Sequence, residues 1–174
     1  MSSHIRQVTP TKNQDSLQCL VRTIRLGEGE FSIVLVNAET VQERLAILRD
    51  LREAIAPIEI RELWLHPTVT DIYGAVEPQL FHQHPRVLSI SGLNHLENLA
   101  IALQRANFSR DRFQKYCPFT MIWWIDDKVS KELRRYAPDL SSCLTTPIHI
   151  ATTEIGQSTD DKKQQAKQKS LVYS

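Results

Sequence analysis

The most regular feature of the chain is an alternation between short unbroken apolar runs and longer segments in which apolar residues recur every three or four positions. The run FSIVLV, Phe31 to Val36, is the clearest of the first kind. It is continuous rather than alternating, so it reads as a strand buried on both faces within a parallel sheet. The segment after it places Val41, Leu45, Leu48, Leu51 and Ile55 on one stripe of an amphipathic helix, and Pro57 closes that helix. Thr40 and Glu43 have capping-box spacing at its start, with Asn37 as a second candidate cap.

The same alternation continues to the far end. IEIRELWLH predicts a second strand, Thr68 to about Phe81 a helix weakened by Pro78, and PRVLSIS a third strand broken by Gly92. LNHLENLAIALQRANFSRDRFQKY predicts the longest helix and PFTMIWWI the fourth strand. Asp126 or Asp127 starts a helix through Val129, Leu133 and Tyr136 that Pro138 ends, and TTPIHI is a short last strand that Pro147 assigns to an edge. Upstream of the first strand, Leu17, Leu20, Val21 and Ile24 predict a helix over Asp15 to Leu26, stopped by Gly27 and Gly29. The pattern implies a three-layer α/β sandwich with a mostly parallel sheet of about five strands. Residues 1–13 are expected to form a flexible arm, 14–151 a single α/β domain, and 152–174 a disordered tail or linker.

Composition removes several functions. With 174 residues the chain suits one domain, and 21 Lys and Arg against 20 Asp and Glu give no global imbalance that would favour nucleic acid or an anionic membrane. Cys19, Cys117 and Cys143 form no C-x-x-C pair, which suits a reducing compartment. The polar N-terminus lacks a signal-length apolar core and the apolar runs are strand-sized, so a cytoplasmic protein with no membrane partner is expected.

The turn Asn37-Ala38-Glu39 sits where backbone N–H groups and a helix start could grip a phosphate. It has neither the glycines that let a backbone curl around phosphate nor the Lys-Ser/Thr pair that supplies charge and a magnesium ligand, and Glu39 repels an anion. After the third strand come Ser91, Gly92 and Asn94 rather than a magnesium-binding acid. Nucleotide hydrolysis is therefore disfavoured. His82 and His84 lack a nearby carboxylate or cysteine, and no nucleophile–base pair is spaced for catalysis, so neither a metal site nor an enzyme is expected. A nucleotide- or anion-binding alternative would bring Asn37, Thr40, Arg110 and Asp126 together at the carboxyl ends of the strands. A nucleic-acid alternative would use Arg105, Arg112 and Lys115 as a basic patch, although Phe108 and Phe113 among them have the spacing of core anchors. Trp123 and Trp124 face opposite sides of their strand, and one of them is a candidate exposed anchor.

Three stretches, FSIVLVNAETVQERL, GLNHLENLAIALQRANFSRDRF and CPFTMIWWIDDKVSKELRRYAPDL, together resemble a bacterial module found ahead of tetratricopeptide repeats in multidomain signalling or defence proteins. That module is similar to a degenerate P-loop ATPase domain of the STAND kind. The resemblance spans about Leu17 to Ile150. It rests on Gly92-Leu93 after the third strand, Asn107, Arg110 and Asp111 late in the long helix, Trp123 or Trp124 with Asp126, and Ala137-Pro138-Asp139. LSSCLTT stands where the family carries aromatic and arginine residues. The resemblance implies a P-loop-NTPase-like scaffold without Walker A or Walker B motifs, holding no cofactor and working through a protein partner. Asn107, Arg110, Asp111 and Asp139 are then expected to form a polar network locking the long helix to the end of the next one, with a guanidinium paired to Asp139.

Overall fold

The computed structural model describes residues 10–81, 83–142, 144 and 147–150, with side chains described from residue 14 onward. The segment expected as a tail and the first nine residues lie outside the described residues, as do His82 and Cys143.

Five strands and seven α-helices follow one another as the hydrophobic pattern requires among the described residues: α1 (Pro10–Leu26), β1 (Ser32–Asn37), α2 (Val41–Ile55), β2 (Ile60–Trp64), α3 (Ile72–Val76), β3 (Val87–Ser91), α4 (Leu99–Phe108), α5 (Arg110–Tyr116), β4 (Thr120–Ile125), α6 (Asp127–Tyr136), α7 (Pro138–Ser142) and β5 (Ile148–His149). The sheet order is β2-β3-β4-β1-β5, and every pairing is parallel. Parallel pairing leaves all the strand-to-helix turns along one edge of the sheet.

Alternation along the central strands divides the interior into two cores. Ile33, Leu35, Met121, Trp123 and Ile125 face α3 to α7, whereas Val34, Val36, Ile122 and Trp124 face α1 and α2. This is the expected three-layer sandwich, and its three inner strands, β3, β4 and β1, are buried on both faces because helices cover both. The two indoles do point to opposite faces, but both are buried, so neither is an exposed anchor. Trp124 instead donates from Nε1 to the buried Ser89 hydroxyl at 2.8 Å, tying β4 to β3.

Four boundaries differ from the sequence expectation. The first helix begins at Pro10, inside the segment expected as an arm. The helix expected over Thr68 to Phe81 shrinks to α3, which Asp71 caps by accepting from the Gly74 amide, and Pro78 falls in a 3-10 turn over Glu77–Leu80. The long helix is three pieces: a 3-10 turn at Leu93–His95, then α4, then α5 after a break at Ser109. Pro138 opens α7 rather than simply ending α6, in keeping with proline's tolerance of a first helical position.

Candidate functional site

The turn after β1 is built around a carboxylate. Thr40 caps α2 by accepting from the Glu43 amide at 3.1 Å, while Glu43 reaches back to accept from the Glu39 and Thr40 amides at 2.9 and 3.3 Å. A helix start offers free N–H groups and a partial positive charge, and an anion is the natural occupant. Here the Glu43 side chain is that anion. Asn37 does not cap this helix, since Thr40 holds the cap position: its Nδ2 donates to Asp127 at 3.3 Å, joining the end of β1 to the start of α6. Asp126 caps α6, accepting from the Val129 amide at 2.8 Å.

Beside this turn, along the carboxyl edge of the sheet, lies a cleft of about 210 Å³ lined by Glu39, Thr40, Val41, Arg44, Trp64, Gly92 and His95 among others. Arg44 is its cation: the side chain is 12% exposed, its buried Nη1 stands 3.6 Å from Glu62 Oε2, and Nη1 has no hydrogen-bond partner. The guanidinium carbon lies 5.4 Å from the centre of the Trp64 ring, close enough for a cation–π contact. Trp64 in turn stacks on His95 at 6.1 Å and remains 52% exposed. Glu62 also binds Arg52. Gly92 ends β3 with φ 95°, and a Cβ there would meet the Leu65 carbonyl oxygen at 2.7 Å. No carboxylate follows β3 at this point; Glu97 is exposed just ahead of α4.

Of the four residues expected to converge here, Thr40 lines the cleft and Asn37 and Asp126 flank it. Arg110 belongs to the opposite edge. α4 leads from the carboxyl end of β3 back toward the start of β4, and Phe113 of α5 stacks at 6.3 Å on Phe31, which immediately precedes β1. Arg110 bonds Asp111 at 3.1 and 3.3 Å. Part of the expected polar network runs through Asn107, whose Nδ2 donates to Asp139 at 3.0 Å and whose Oδ1 accepts from the Leu140 amide at 2.9 Å.

The basic residues of α4 and α5 are engaged within the domain. Arg105 donates to the Thr70 hydroxyl at 2.8 Å; Arg112 pairs with Glu77 at 3.4 Å and lies 4.0 Å over the Tyr73 ring; Lys115 lies 5.1 Å over Tyr116. With Glu77 and Asp111 between them, they form no unbroken positive stripe. Phe113 is a core anchor as expected, but Phe108 is 87% exposed, since it ends α4 where the chain breaks direction. Burial pushes the Cys117 thiol up to about 11, so it packs as a neutral hydrophobe. Among the described residues no group of three or more His, Cys, Asp and Glu could hold a metal ion, and no helix is long and apolar enough to cross a membrane.

Arg44, Trp64 and His95 are cleft residues that sequence reasoning missed. The available signal was the i, i+3 relation of Val41 and Arg44 on the helix that opens beside the first turn.

No family model matches the chain, and no curated protein matches it. Among solved structures it is similar to the ORC2 protein of Aeropyrum pernix, determined as ADPNP–ADP complexes, with a TM-score of 0.54 and 9% identity. The match covers 83% of this chain and 48% of that one, so the chain spans about half the length of that neighbour. Likeness at this identity concerns the fold alone, a P-loop-NTPase-like parallel sheet between helices.

Proposed function

We propose that this chain is a non-catalytic interaction or regulatory module on a degenerate P-loop-type scaffold, of the STAND-like kind that precedes repeat arrays in signalling or defence proteins. The observation that carries the reading is the reciprocal bonding of Thr40 and Glu43. A nucleotide's phosphate needs the amides at the start of α2, and the Glu43 carboxylate accepts from two backbone amides there while adding its own negative charge. Ser91 and Gly92 supply no carboxylate for magnesium at the end of β3. What remains at the edge is a cleft rimmed by the half-exposed Val41 and Trp64 beside Arg44, an aromatic and arginine pairing common in protein contacts.

An anion-binding alternative rests on the buried Arg44 Nη1, which has no hydrogen bond. One experiment separates the two. Thermal unfolding is followed with and without millimolar ATP or GTP plus magnesium. A ligand at a hundred times its dissociation constant stabilises the native state by about 2.7 kcal/mol, a shift of several degrees at this size. The module reading expects no shift. A rise that Arg44→Ala abolishes would replace it with nucleotide binding.

A further inference from the structure

Several apolar side chains around the cleft remain about half exposed in the described fold. Val41 and Leu45, one turn apart on α2, are 49% and 50% exposed, and Trp64 beside them is 52% exposed. Bordering them along the same carboxyl edge are the exposed Glu39, Glu97 and Asp127 and the half-buried Asp126. Against these stand Lys128 and the ion-paired Arg44. The edge is thus acidic with an aromatic seat at its β2 side.

The last described residues leave the sheet at this same edge. β5 pairs in parallel with the end of β1, through Val36 with Ile148 and Asn37 with His149, so the chain beyond Ile150 starts at the carboxyl side. Its sequence there includes KKQQAKQK, residues 162–169, with four lysines and no acid, followed by Leu171, Val172 and Tyr173. From β5 to β2 the sheet crosses four strand spacings, roughly 19 Å at about 4.8 Å each. The 23 residues that separate Tyr173 from Ile150 would, as a flexible coil, have a root-mean-square span of about 26 Å. The reach of this segment matches the width it must cross.

We propose that residues 162–173 are the occupant of this surface: the lysines run along Glu39, Asp126, Asp127 and Glu97, and Leu171 and Tyr173 cover Trp64, Val41 and Leu45. The contact is intramolecular, with an effective concentration of about a millimolar, so weak intrinsic affinity suffices. The inference rests on the reading that the cleft is a protein surface and not a nucleotide site.

The test follows the three tryptophan indole N–H signals of the full chain by two-dimensional NMR. Replacing Leu171 and Tyr173 by Ala is expected to move the Trp64 signal by more than its line width while Trp123 and Trp124, buried in the two cores, stay in place. Exchanging Lys162, Lys163, Lys167 and Lys169 for Glu is expected to move it the same way. A synthetic peptide of residues 160–174 added to the Leu171→Ala/Tyr173→Ala chain should restore the original position saturably. An unmoved Trp64 signal in both variants overturns the proposal, and so does a wild-type position that changes with protein concentration, which would make the occupant a second copy. Adding ATP and magnesium to the same wild-type sample separates the underlying reading: a nucleotide-dependent shift removes that reading, whatever the variants do.

Discussion

Asn107 and Asp139, 32 residues apart, are joined by a 3.0 Å bond, and the other end of the same amide accepts from the Leu140 N–H at 2.9 Å. One side chain therefore holds the end of α4 against the start of α7. Replacing Asn107 by Ala strands a partly buried amide and should cost about 1–3 kcal/mol. Thermal unfolding checks this, with a fall of roughly 2–4 °C per kcal/mol expected at this chain length.

Ser89 and Trp124 form the corresponding link inside the sheet. Ser89→Ala leaves a buried indole N–H without an acceptor, again at a cost of about 1–3 kcal/mol. In a Trp124→Phe background the same substitution should cost distinctly less, because the orphaned donor is gone. Urea midpoints of the four proteins in that cycle decide it; equal costs in both backgrounds would show the bond to be energetically idle.

Gly92→Ala combines two penalties. The backbone sits at φ 95°, and the new methyl group would press on the Leu65 carbonyl at 2.7 Å, a backbone atom that cannot rotate away. The left-handed conformation alone costs about 1–2 kcal/mol, and the clash adds to it. By contrast Gly29, at φ 84° with nothing within 4 Å of its Cβ position, should show only the conformational cost when changed to Ala. Denaturant unfolding of the two variants side by side tests the difference.

Cys117 predicts an alkaline weakness. Its thiol is pushed up from 9.0 to about 11 by burial, so above pH 9 the unfolded chain releases a proton that the native state still keeps. Stability must then fall as pH rises through the window from 9.0 to about 11, since the native state binds more protons there. Cys117→Ala lowers stability overall but should flatten that decline. Urea midpoints measured from pH 8 upward give the slope, and an unchanged slope would remove Cys117 as its source. At neutral pH a thiol reagent should label exposed Cys19 and spare Cys117 in the native protein.

The architecture was legible because burial on both faces writes itself as unbroken apolar runs. FSIVLV and MIWWI could belong only to central strands, and Leu48, Leu51 and Ile55 of the stripe cover one side of them, while Val41 and Leu45 at its start stay half exposed because they lie at the rim of the carboxyl edge. The break at Ser109 was hidden because the residues on either side of it are all tolerated in a helix; packing of Phe113 against Phe31, Tyr73 and Trp123 decides it. The cleft was only half legible. Thr40 and Glu43 declare themselves by spacing, and the Asn107 link followed from the resemblance. Arg110 was misplaced, since a linear sequence does not say at which edge of the sheet a broken helix resumes. Arg44 and Trp64 meet across the distance between α2 and the end of β2, a relation that exists only after the crossover is made.

The back-to-back placement of Trp123 and Trp124 gives each helical layer its own optical reporter. With Trp64 replaced by Phe, a chain retaining only Trp124 would emit from beneath α1 and α2, and one retaining only Trp123 from beneath the helices on the other side. The two halves of the sandwich can thus be timed separately as the protein is heated, and whether they melt as one cooperative body becomes a matter of comparing two emission curves.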